Sequence, residues 1–174
     1  INGIASLSFA LVIIYKNWRD KINRMFFFLM SGMVIWSLGY WKWLSSTNSQ
    51  DALFWVRFFS IGSTLIPVFY LHWIVLLLKK ETEKHILKLV YVLTGLIIAL
   101  SLLIPNLFVE KVIPKFSFPF WPDPGIIYHF YLASVYGLLV TYALTLLIKT
   151  YKMASLDIKG QGFYVILGSI FGFG

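Results

Sequence analysis

Hydrophobic and polar positions alternate along this chain in long blocks: six apolar stretches, at 1–15, 25–44, 52–78, 86–104, 126–148 and 163–174, separated by short polar connections. About 20 apolar residues, rising 1.5 Å each, cross the roughly 30 Å hydrocarbon layer as a helix. The four internal stretches are 20, 27, 19 and 23 residues long. The pattern predicts an all-α, polytopic transmembrane helix bundle. Six helices are visible, and the two terminal ones are expected to be cut, so that 1–174 is a single transmembrane domain of a longer, seven-helix protein. Composition sharpens this reading, with 59% hydrophobic and only 13% charged residues. A soluble domain of this size could not hide so much apolar surface.

Charge supplies the orientation. The connections 16–24, 79–88 and 149–159 hold 11 of the 15 Lys and Arg, whereas 45–51 holds none and 105–125 holds two. The positive-inside rule makes the three basic segments cytoplasmic and the other two external. The net charge of +8 is accounted for by topology and contact with anionic headgroups, so nucleic-acid binding has no support. Tyr15, Trp18, Trp41, Trp43, Trp55 and Tyr151 fall at span ends, as an interfacial aromatic belt does. Without cysteine there is no disulfide, thiolate metal site or cysteine nucleophile. All seven acidic residues fall in connections or at span edges. The spans therefore offer no carboxylate relay, counter-ion or catalytic pair. No catalytic residue, metal site or cofactor is expected.

Five of the six prolines lie in 105–125, which predicts an extended lid or short hairpin over the bundle mouth. The sixth, Pro67, lies inside the third span and should kink it unless neighbours satisfy the freed carbonyl, with Ser63 and Thr64 as nearby hydroxyls. Arg57 is the one cation at shallow membrane depth. Either it snorkels to the headgroups or it faces a pocket and binds an anionic group. Trp36 and Tyr40 of the second span and Tyr128 and His129 of the fifth are placed to join Arg57 around an outward-opening polar-aromatic cavity under the lid. Such a cavity would suit a small anionic or amphiphilic ligand. His72 is read as a hydrogen-bonded core histidine, with a proton-sensing switch as its alternative. Gly168 and Gly172 have the GxxxG spacing that lets helices approach closely, within the bundle or between two copies.

The run NRMFFFLMSGMVIWSL, a short polar turn, and DALFWVRFFSIGSTLIPVFYLHWIVLLL together resemble the N-terminal seven-transmembrane sensor region of bacterial histidine kinases. Asn23, Arg24, Phe26, Trp36, Ala52, Trp55, Arg57, Gly62 and Pro67 occupy the positions that carry the resemblance. It implies a non-catalytic input module in the bacterial cytoplasmic membrane. A stimulus outside or within the bilayer would shift its helices and act on a cytoplasmic signalling domain, of kinase, cyclase or PAS type, in the same chain. The expected partners are the lipid bilayer, a small anionic or amphiphilic ligand and a second copy in a homodimer. A small-solute transporter or permease component is the alternative, and would need a continuous polar path and internal repeats.

Overall fold

The computed structural model describes residues 2–153 and 156–173, and is a bundle of six helices with one β-hairpin. The helices are α1 (Asn2–Asn17), α2 (Lys21–Leu44), α3 (Ser49–Leu77), α4 (Lys84–Leu103), α5 and α6 (Leu156–Phe173). Helix α5 begins as Ile126–Tyr131, widens into a π-helical stretch, Leu132–Leu138, and resumes as Leu139–Met153. Four helices are long and apolar enough to cross a membrane: α2, α3, α4 and α5. Helices α2 and α3 begin a few residues before their apolar runs because polar caps extend them. The Asp20 side chain accepts from the Ile22 amide and the Asn48 side chain from the Asp51 amide, each at 2.8 Å. Asp51 also accepts from the Trp55 indole at 3.0 Å.

Successive spans run up and down, so 16–24, 79–88 and the end of α5 share one end of the bundle and the hairpin lies at the other. Lys149 and Lys152 sit on the last turns of α5 rather than in a free loop.

Helix α3 is central and the most buried span. It packs most closely on α2, where Gly32 faces Gly62 and Gly39 faces Phe59. A Cβ at Gly62 would lie 2.9 Å from the Trp36 amide nitrogen, and one at Gly39 2.6 Å from the Phe59 Cβ. Backbones approach here at a distance that only glycine permits. The GxxxG pair behaves otherwise: among the described residues, a Cβ at Gly168 or Gly172 meets nothing within 4 Å.

Pro67 is fully buried, and α3 runs on through it. The proline leaves the Ser63 carbonyl without its i+4 donor. Rescue comes from α5, where the Tyr131 hydroxyl donates to that carbonyl at 2.9 Å. The Ser63 and Thr64 hydroxyls instead both donate to the Ser60 carbonyl. Tyr70 donates to Ser169 Oγ at 2.7 Å, tying α3 to α6. At the basic end, the Tyr142 hydroxyl of α5 bonds the Glu83 carboxylate in the turn between α3 and α4. His72 is half-buried and shares a 2.8 Å hydrogen bond with the Tyr91 hydroxyl of α4, the arrangement expected of a core histidine.

Candidate functional site: the cavity under the hairpin

The proline-rich connection forms a 3₁₀ turn, Pro105–Leu107, followed by antiparallel strands β1 (Val109–Lys115) and β2 (Phe118–Pro124). Prolines can occupy these strands because a two-stranded ribbon has an open edge on each side, where no N–H is required. Lys111 pairs with Asp123 at 3.8 Å and Glu110 at 4.0 Å, so both acidic residues of the ribbon share one cation within it.

Two side chains clasp the ribbon to the spans. On α3, Arg57 Nη2 donates to Asn106 Oδ1 at 2.7 Å and to the Val109 carbonyl at 2.9 Å, and Nε reaches the same carbonyl at 3.3 Å. On α2, the Trp43 indole donates to the Phe120 carbonyl at 2.7 Å. Each strand thus has its own anchor on its own helix. Neither sequence reading included this role of Arg57: its Nε and Nη2 turn to the ribbon, while the side chain also borders a groove on the other side. Trp43 also differs from expectation. Only 4% exposed, it belongs to the core and stacks on Phe118, whereas Trp41, two residues earlier, is 59% exposed and suits the aromatic belt.

Between ribbon and bundle lies a cavity of about 280 Å³, floored by Tyr40 and Trp43 of α2, Phe59 and Ser60 of α3 and Tyr128 of α5, and roofed by Lys115 and Trp121. Of the five residues expected to line one cavity, Tyr40 and Tyr128 do so here. The other three lie elsewhere. Arg57 borders a separate groove between α3 and α4. Trp36 stacks on Tyr40 but lines a space among α1, α2, α3, α5 and α6. His129 is exposed beside Tyr128. Helical spacing alone does not give this split: Arg57 and Ser60, three residues apart on α3, are neighbours on one face, and the ribbon's attachment divides them between the groove and the cavity. The cation over the cavity is Lys115, whose Nζ sits 5.8 Å from the Trp121 ring centroid, within cation–π range. No group of three or more metal-ligating side chains occurs among the described residues.

Over residues 2–173 the chain matches the family described as the N-terminal 7TM region of histidine kinase. The chain belongs to that family. No curated protein and no solved structure matches it. Family and spans together place it in a membrane.

In this histidine-kinase 7TM region, the residues that carried the sequence resemblance hold tertiary contacts. Trp36 and Gly62 mark a close α2–α3 backbone approach, Phe26 packs on Trp73 at 5.3 Å, Arg57 clasps the ribbon, and Pro67 frees the carbonyl that Tyr131 takes up. Helix α3 is therefore tied to the hairpin at one end, to α5 and α6 along its length, and to α4 through His72. Trp43, Lys115, Trp121 and Asn106 complete the site but carried no distinguishing signal in the sequence. Each is an ordinary interfacial or loop residue until the ribbon folds back onto the spans.

Proposed function

We propose that this chain is the sensory input region of a histidine kinase. In this reading the external ribbon and the cavity beneath it receive the stimulus, and α3 carries the resulting displacement toward a cytoplasmic output domain. The observation that carries it is the double clasp: a lid held over a polar-aromatic cavity by one side chain from each of the two most tightly packed helices. A small amphiphile with an anionic end suits this cavity, its charge beside Lys115 and its body against Tyr40, Trp121 and Tyr128. Occupancy that favours one lid position over another shifts the helix equilibrium by the difference in affinity between the two states. Tyr131 relays movement of α3 to α5, and Tyr142 couples α5 to the basic end.

Autophosphorylation of the intact kinase, measured in membranes, tests this. Arg57→Ala releases β1 and should change basal output severalfold with normal membrane insertion. Arg57→Lys should restore it in part, because lysine lacks the planar fork that spans Asn106 and Val109. Unchanged output in well-inserted Arg57→Ala would remove the hairpin from the signalling path.

A further inference from the structure

On the flank of α3 away from the cavity, a groove of about 540 Å³ runs between α3 and α4 below the 3₁₀ turn. Its size falls within the range of about 300–1,000 Å³ typical of ligand pockets. Gln50, Phe54, Arg57 and Ile61 line it from α3, at spacings of four, three and four residues that keep them on one face. Ser101 and Leu102 line it from α4. Phe54 is 60% and Leu102 61% exposed, so this face of the bundle meets the bilayer.

Arg57 gives the groove a polar end. Its Nε and Nη2 are committed to Asn106 and to ribbon carbonyls, all of them neutral, and Nη1 makes no hydrogen bond among the described residues. Among the described residues no carboxylate forms an ion pair with Arg57; Glu110 and Asp123 share the single cation of Lys111. Arg57 lies eight residues into α3, about 12 Å along its axis. This depth lies within reach of a headgroup for a side chain at the edge of the hydrocarbon layer. A cation with two donors left, a second polar side chain, Gln50, at the outer end of the same groove and an apolar trough running inward match an anionic amphiphile in both charge and shape.

We infer that the α3–α4 groove binds an anionic phospholipid of the surrounding leaflet. The phosphate sits on Arg57 Nη1 and the Gln50 amide, and one acyl chain lies along Phe54, Ile61 and Leu102. The bound lipid would neutralise the residue that holds the ribbon down, making the hairpin clasp responsive to bilayer composition. This goes beyond the cavity reading but shares Arg57 with it, so its test reads lipid retention and not kinase output.

The intact protein is reconstituted in nanodiscs of equal parts phosphatidylglycerol and phosphatidylcholine, extracted gently, and its retained lipid counted by native mass spectrometry. Phosphatidylglycerol should be retained over phosphatidylcholine severalfold, because both carry the phosphate but the choline ammonium of the second already compensates its charge and is repelled by Arg57. The preference should vanish in Arg57→Gln. Ser101→Phe, which fills the groove while leaving the Arg57 clasp in place, should abolish it equally, and its monodispersity would show that the fold survives. Added inorganic phosphate should not compete, since the acyl chain contributes to binding. Equal retention of both lipids, undiminished preference in Ser101→Phe, or displacement by phosphate alone would each overturn the groove as a lipid site.

Discussion

Tyr131→Phe removes one oxygen from the bundle, and its cost depends on a proline in another helix. The Tyr131 hydroxyl donates to the Ser63 carbonyl, the acceptor that Pro67 deprives of an amide partner. Tyr131 is only 3% exposed, so water cannot replace the lost donor readily. Leaving a buried acceptor unsatisfied costs about 1–3 kcal/mol in general. Interhelical hydrogen bonds in a membrane protein average about 0.6 and reach about 1.7 kcal/mol. A cost of about 1 kcal/mol is therefore expected for Tyr131→Phe alone. In Pro67→Ala the restored amide can bond the Ser63 carbonyl within α3, and the hydroxyl loses most of its value. A double-mutant cycle should then give a coupling energy of about 0.5–1 kcal/mol. Packing lost with the proline ring cancels within the cycle. Equilibrium unfolding in mixed detergent micelles, followed by the emission of the seven tryptophans, supplies the four free energies. An equal cost of Tyr131→Phe in both backgrounds would show that the hydroxyl does not serve the proline-freed carbonyl.

Other outcomes follow from specific contacts. Gly62→Ala drives a methyl against the Trp36 backbone and should destabilise the bundle by about 1–3 kcal/mol, whereas Gly95→Ala, whose Cβ meets nothing within 4 Å, should be neutral or slightly stabilising; thermal stability in detergent separates them, and equal effects would contradict the close α2–α3 approach. Trp43→Phe keeps a ring in the core but loses the bond to Phe120, and should raise amide exchange selectively across 118–124; unaltered protection there would mean that β2 is held without this anchor. Because the chain has no cysteine, single cysteines at Lys84 and Lys115 report topology directly. An impermeant thiol reagent should label only position 115 in intact cells, and labelling of position 84 alone would invert the orientation.

The spans were legible because a bilayer imposes one requirement, about 20 apolar residues, that a linear sequence satisfies or fails locally. The lid was legible because proline density excludes a helix locally too. Arg57 shows where local reading stops. Its acceptors lie 49 and 52 residues away, on a loop amide and a backbone carbonyl that carry no residue-type signature. Trp41 and Trp43 make the same point, two residues apart with similar surroundings in sequence, yet one faces outward and the other is covered by the ribbon. The proline-freed carbonyl was foreseeable, and a hydroxyl rescuer was the right chemistry. That the hydroxyl comes from Tyr131 depends on how α5 packs, which the apolar pattern of α5 does not encode.

The π-helical stretch of α5 sets the phase between its two halves. At about 100° per residue, Tyr131 and Ala143 would point about 120° apart on an uninterrupted α-helix. An i→i+5 turn accommodates one additional residue and turns the later half back by about that residue's 100°, leaving the two about 20° apart. Both are buried, as is Leu147 one turn further on. The buried setting of Ala143 and Leu147 thus depends on the widened geometry of the stretch, several of whose side chains are exposed. Shortening it by one residue, for example by deleting Gly137, would let the helix close into regular α geometry and would still leave Tyr131 and Ala143 about 20° apart, so both halves would keep their faces. Closing to α geometry at the present length would instead swing Ala143 and Leu147 about 100° out of the core while Tyr131 kept its hold on α3.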